Sequence, residues 1–282
     1  MKKITPIHKF KEGMTIQGFY LCVDKHIRHT RTGDLFIDLV LRDKTGQVHG
    51  KIWDKVNSYS ERFNSGEAVV AKADVSSYQG RLHLEIKKIG RASVQDHGRY
   101  GYDPTLIVPS SEKNPKEMWV GLRELVKKIK NRRLKKLVTQ IYKENKESIF
   151  VCPASLTSHY NYRSGLLEYL LSMGRVALDL AERYNADRDL LLAGVLLHDI
   201  GKVKELSIGL ESEITDEGKF IGHSVISRDM VKAVAGTING FPKELLLKLE
   251  HMILTHKGQL EWRSSRKPNF PEALLLHQIH HL

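Results

Sequence analysis

The sequence predicts a two-domain α+β protein: an N-terminal five-stranded β-barrel followed by an all-α helical bundle. Two observations predict it. Up to about residue 90, apolar residues alternate in short runs separated by turn signals; from about 116 they recur at helical spacing. Alternation turns one side of a strand inward, and the helical recurrence turns one stripe of a helix inward. The 282 residues suffice for one large or two ordinary domains. At 41% hydrophobic and 28% charged, the chain can bury a real core.

The strands read in order. MTIQGFYLCV (14–23) is the first, followed by a polar, basic loop, DKHIRHTRTG. LFIDLVLRD (35–43) sets Leu35, Ile37, Leu39 and Leu41 against Phe36, Asp38, Val40 and Arg42. Lys44-Thr45-Gly46 is a hairpin signal. QVHGKIWD (47–54) sets Val48, Gly50 and Ile52 against His49, Lys51 and Trp53. Residues 56–66 suggest a short helix, and 67–78 and 81–90 form a further hairpin across Gln79-Gly80. Five strands with a short helix between the third and fourth fit an OB barrel. The outward face of strands two and three of such a barrel commonly carries single-stranded nucleic acid. Here it offers Phe36, His49, Lys51 and Trp53, and Arg81 and His83 extend it. Rings stack on bases while cations steer phosphates. A barrel that merely packs on the second domain through Trp53 is the alternative.

Residues 93–115 are rich in Gly, Pro, Ser and Asp and have no sustained period, so they read as a linker. The expected division is 1–95 for the barrel, 96–115 for the linker and 116–282 for the helical domain. The helical half opens on EMWVGLRELVKKIKNRRLKKLVTQIYKEN, with Trp119, Leu122, Leu125, Val126 and Ile129 on one face. Lys127, Lys128, Lys130, Arg132, Arg133, Lys135 and Lys136 crowd the other. Two readings stay open for this basic helix at 123–136: a solvated face, or a grip on an acidic polymer. Further helices are expected at about 164–184, 188–200, 223–236, 243–256 and 271–282.

The net charge of +12 and pI near 9.5 suggest an acidic partner, nucleic acid first and anionic membrane second, with a merely solvated surface as the bland alternative. No apolar run approaches the roughly 20 residues of a membrane span. The basic N-terminus lacks the apolar stretch of a secretory signal. Two distant cysteines, Cys22 and Cys152, make neither a disulfide framework nor a thiolate metal site, and fit a reducing cytoplasm.

LLAGVLLHDIGKVKEL (191–206) poses the chemical question, since it sets His198 and Asp199 side by side at the end of an apolar helix. The pair either caps the helix or holds a metal. Imidazole and carboxylate are the usual ligands for Mn, Fe, Co and Zn. Adjacent helical residues point about 100° apart, so both meet one ion only from a cleft edge or a helix end. Gly201 is placed to let the chain turn away there. His159, His223, His251, His256, His277, His280 and His281 are the other histidines of this half.

LLHDIGK resembles the signature of the HD-domain metal-dependent phosphohydrolases. HYNYRSGLLEYLLSM (159–173), GHSVIS (222–227), LEHMILTHKG (249–258) and PEALLLHQIHHL (271–282) narrow the resemblance to the YhaM-type 3′-5′ exoribonucleases, which join an OB domain to an HD domain in this order. The resemblance implies metal-dependent phosphodiester hydrolysis on single-stranded RNA or DNA. It implies His198, Asp199, His223 and His256 as metal ligands, with Asp199 also orienting water and Lys202 stabilising charge on the phosphate. It also implies a chain that runs on past Leu282. Three positions depart: Tyr169 stands where the family has its first metal histidine, Lys257 replaces the second histidine of a His-His pair, and His280 replaces an aspartate. A tyrosine, whose reference pKa is near 10, is a poor ligand, and an ammonium repels a cation. The expectation is therefore at most one ion, manganese by the resemblance, held by His198, Asp199 and His223 with His256 or His280. A nucleic-acid-binding protein with a degenerate HD domain is the second reading, and a small-nucleotide phosphohydrolase the third. Oligomeric state is not legible.

Overall fold

The computed structural model describes residues 5–258 and 266–282, so the first residues of the basic N-terminus lie outside them. The chain divides into two compact units: Met1–Pro109 with Gly209–Glu211, and Ser110–Ile208 with Ser212–Leu282.

In the first unit, β1 (Thr15–His29), β2 (Leu35–Asp43), β3 (Gly46–Ile52), β4 (Ala68–Tyr78) and β5 (Arg81–Arg91) close a barrel in the order β1-β2-β3-β5-β4. Every pairing is antiparallel except β3 with β5. α1 (Val56–Ser60) lies between β3 and β4 and is shorter than its sequence suggests. The alternation holds: Ile37, Leu39, Leu41, Val48, Ile52, Val69 and Leu84 are buried in the barrel core. Gln79 and Gly80 both take positive φ, 51° and 74°, which a two-residue hairpin turn requires.

Two expectations need correction here. The basic loop after the first strand is itself strand: β1 continues to His29, and Asp24–His29 pair with Leu35–Val40 past an irregularity at Cys22/Asp24. Polar side chains on both faces erase the hydropathy signal, but the backbone ladder does not need it. The stretch 93–115 is not a free linker. α2 (Val94–His97) follows β5, and Tyr102, Ile107 and Val108 bury against Phe19, Leu21 and Ala92.

The second unit is all-helical: α3 (Pro115–Lys127), α4 (Arg132–Glu144), α5 (Lys146–Val151), α6 (Gly165–Arg183), α7 (Arg188–Leu197), α8 (Lys202–Glu205), α9 (Asp216–Phe220), α10 (His223–Thr237), α11 (Lys243–Thr255) and α12 (Pro271–His281). α7 is its centre. Asp187 caps it by accepting from the Asp189 and Leu190 amides. Every residue from Leu190 to Leu197 is buried, as an all-round apolar helix must be. Each buried leucine contributes about 1.5–3 kcal/mol. The basic run 123–136 is two helices, not one. Asn131 Oδ1 accepts from the Arg133 and Leu134 amides and starts α4 afresh, while Lys130 N and Asn131 N donate to Asp189 Oδ2 at 2.9 and 2.6 Å.

Candidate functional site

α7 delivers His198 and Asp199, both fully buried, into the interior of the helical unit. The helix stops there because α10 arrives. The Gly201 amide donates to Ser227 Oγ at 2.7 Å, and a Cβ on Gly201 would sit 2.3 Å from the His223 carbonyl oxygen. Gly201 therefore acts by permitting close approach. Its φ of −61° is not the left-handed cap that the sequence suggested. That approach brings His223, the first residue of α10, to Asp199: His223 Nε2 lies 3.4 Å from Asp199 Oδ1. His256, at the end of α11, reaches the same oxygen at 3.7 Å.

The imidazoles are oriented by groups behind them. His198 Nδ1 meets the Val195 carbonyl at 2.8 Å, His256 Nδ1 the Ile253 carbonyl at 2.7 Å, and His223 Nδ1 Glu205 Oε1 at 2.9 Å. An acceptor on Nδ1 puts the proton there and frees Nε2, the arrangement that metal-ligating histidines use. The Nε2 atoms of His198, His223 and His256 and both Asp199 oxygens are buried and make no hydrogen bond. Leaving such a group unmet costs about 1–3 kcal/mol, so these converging atoms, of which only Asp199 Oδ2 has a cation beside it, fit a metal ion better than they fit packing. Asp199, His223 and His256 each bring a ligand atom within 4.8 Å of the others, and so do His198, His256 and His280.

Charge follows the same geometry. Burial holds His198 below the ordinary imidazole range and His256 well below it, so both are neutral donors. Burial alone would raise Asp199, but Lys202 and the surrounding imidazoles bring its carboxyl well below the usual range. Lys202 Nζ lies 3.2 Å from Asp199 Oδ2 and also donates to the Ala154 carbonyl. An ammonium has three donors, and Lys202 borders a cavity of about 590 Å³ lined also by Thr157, Glu205, His223 and Lys257.

Two of the three departing residues sit together. Tyr169 Oη is 2.7 Å from His280 Nδ1. Burial pushes the phenol well up, so it stays protonated, and burial lowers His280 to about 3. Tyr169 thus occupies one substituted position and partners the other. His159 is exposed, and the His251 ring packs near Phe270 at 5.2 Å, so neither joins the cluster. His277 Nδ1 meets the His256 carbonyl at 3.0 Å, behind the site. Glu205 was not anticipated. Its only signal was a carboxylate inside the same quoted run, three residues past Lys202. Substituting Glu205→Gln should weaken metal binding about 10–100-fold, as loss of an orienting partner does, measurable by calorimetric titration. Unaltered affinity would remove Glu205 from the site.

On the barrel, Phe36 and Trp53 stack at 4.9 Å and 30°, and Lys51 Nζ lies 5.3 Å from each ring. Trp53 is 48% exposed. His49 pairs in register with His83 across β3 and β5, and Arg81 shares the outward face of β5 two residues before His83. Five of the six sequence-predicted residues therefore alternate with the buried positions of β2, β3 and β5, and Trp53 follows directly after β3.

The barrel and the helical site together define an HD-domain chain with an N-terminal OB-type barrel, and the HD-domain profile matches residues 167–280. The 3′-5′ exoribonuclease YhaM of Listeria monocytogenes is 32% identical over 271 residues, covering 96% of this chain and 85% of the relative. That of Halalkalibacterium halodurans is 31% identical over 273 residues, covering 96% and 83%. This chain belongs to the YhaM family of 3′-5′ exoribonucleases. Among solved structures, the second OB-fold domain of replication protein A from Methanococcus maripaludis aligns at 16% identity and a TM-score of 0.28, covering 32% of this chain and 94% of that one. Among the described residues, no helix is long and apolar enough to cross a membrane.

Proposed function

We propose that this protein is a metal-dependent 3′-5′ exonuclease that degrades single-stranded RNA or DNA in the cytoplasm, with manganese as its ion. Residues 1–95 hold the strand and residues 116–282 hydrolyse it. The observation that carries the reading is the convergence of buried ligand atoms on His198, Asp199, His223 and His256 that make no hydrogen bond, with Lys202 as the ion-pair partner of Asp199. These four hold at most one ion. His280 joins them only through Nε2, with its Nδ1 proton given to the Tyr169 oxygen. When bound, the ion supplies Lewis acidity to a phosphoryl oxygen and to water. Asp199 orients the attacking water. Lys202, with a donor left over, meets charge developing on the phosphate. Phe36 and Trp53 stack bases while Lys51, His49, Arg81 and His83 face the backbone. Buried free thiols at Cys22 and Cys152 accord with a reducing compartment.

The test is degradation of 5′-labelled single-stranded RNA with and without added manganese. A ladder shortening from the 3′ end, lost in chelator, supports the reading. No product under any divalent ion would favour the second reading, a nucleic-acid-binding protein with a silent HD domain. One observation leans that way: the hydrogen bond between Tyr169 and His280 takes up two positions where the family has ligands. For the barrel, Phe36→Ala with Trp53→Ala should weaken single-strand binding by about 1–3 kcal/mol per lost stack, read by fluorescence anisotropy. A folded double variant with full affinity would take both rings out of the binding face.

A further inference from the structure

The break between α3 and α4 turns the basic run into the two rims of a groove of about 430 Å³. Its floor is apolar: Trp119, Val126 and Tyr142. Trp119 lies 6.1 Å from the Tyr142 ring and 5.3 Å from the Phe150 ring. Tyr142 spends its hydroxyl on the Leu196 carbonyl at 2.7 Å, so its polar tip points inward. Arg123 and Lys127 stand on one rim, Lys135 and Lys143 on the other, and no carboxylate lines the groove. Lys127 pairs with Glu124, outside it, at 2.7 Å. That contact is exposed and weak.

We propose that this groove is a second binding site for single-stranded RNA, separate from the barrel face and the histidine cluster. The proposal rests on the reading of the chain as an enzyme that acts on RNA. Three features select the occupant. Cations with no acid among them call for a polyanion. Lys135 and Lys143 are eight residues apart on one helix, a rail of about 12 Å at 1.5 Å per residue, which is longer than one phosphate uses. The half-buried ring of Trp119 at the floor, with the buried Tyr142 behind it, offers a base a stacking surface that is tolerant of sequence. Each single-strand phosphate neutralised contributes about 0.7 to the slope of log K against log salt.

The test measures binding of a labelled oligouridylate to the full chain across a salt series, in chelator so that nothing is cut. The variant Lys135→Gln/Lys143→Gln is compared with Lys116→Gln/Lys136→Gln, which removes the same charge from α3 and α4 at positions outside the groove. The groove variant should bind more weakly, with a slope shallower by about 1.4 for two lost phosphate contacts, while the control keeps the wild-type slope. Equal slopes for all three proteins, or an equal drop in both variants, overturns the site. Displacement of the oligonucleotide by uridine monophosphate in wild type but not in the groove variant overturns RNA as the occupant, in favour of a free nucleotide. Because no hydrolysis is read, an inactive protein with the expected slopes would sink the exonuclease reading and leave the groove standing. An active protein with unchanged slopes would do the reverse.

Discussion

Replacing Asp199 by Asn is expected to abolish metal uptake and to lower RNA hydrolysis by more than about 10²-fold, the upper range for losing a group that merely orients a ligand. Asp199 shares one metal-fitting group with His223 and His256, and His198, His223, His256 and Lys202 all lie within 3.2–3.7 Å of its oxygens. The substitution preserves shape, so packing survives. What goes is the negative charge that touches three imidazoles and an ammonium. A divalent ion there would then face Lys202 with only Glu205, behind His223, as a nearby carboxylate. Elemental analysis of the dialysed protein and an end-labelled degradation assay read the two effects separately. A folded Asp199→Asn protein that keeps its ion and its rate would mean the chemistry lies elsewhere.

The second large effect should run in the opposite direction. The triple substitution Tyr169→His, Lys257→His and His280→Asp is expected to raise the bound ions from at most one to two, and to speed hydrolysis. Tyr169 offers a half-buried, protonated phenol, which coordinates poorly. Lys257 brings an ammonium to the cavity that Lys202 and His223 also line. Exchanging Lys257 and His280 as stated moves the local charge by about two units toward negative. At an effective dielectric near 20, each unit is worth about 4 kcal/mol to a single charge 4 Å away. Tyr169→His alone is the informative intermediate, because it breaks the hydrogen bond to His280 without changing charge. Should the triple variant match wild type in both ion count and rate, the centre is not an altered form of the two-ion arrangement.

Sequence by itself determined the barrel and most of the bundle. Val48, Gly50 and Ile52 alternate with His49 and Lys51 because a strand has two faces, and that local period survives in the fold. The all-apolar stretch before His198 announced a buried helix for the same reason. The histidine–aspartate pair stood out by its place at the end of an apolar helix, and the histidines at 223 and 256 by the resemblance to the HD-domain family. Tertiary structure decided what no local period encodes. Asn131 and Asp189, 58 residues apart, split the basic run into two rims. Glu205 became the partner of His223 across 18 residues, and Tyr169 met His280 across 111. β1 ran on through a polar stretch because its ladder partner, not its hydropathy, holds it. Gly201 was read as a turn residue, yet it serves as a gap into which α10 fits. Each of these depends on which distant atoms share a few ångströms. Periodicity specifies the face that a side chain takes, and only packing specifies what it meets there.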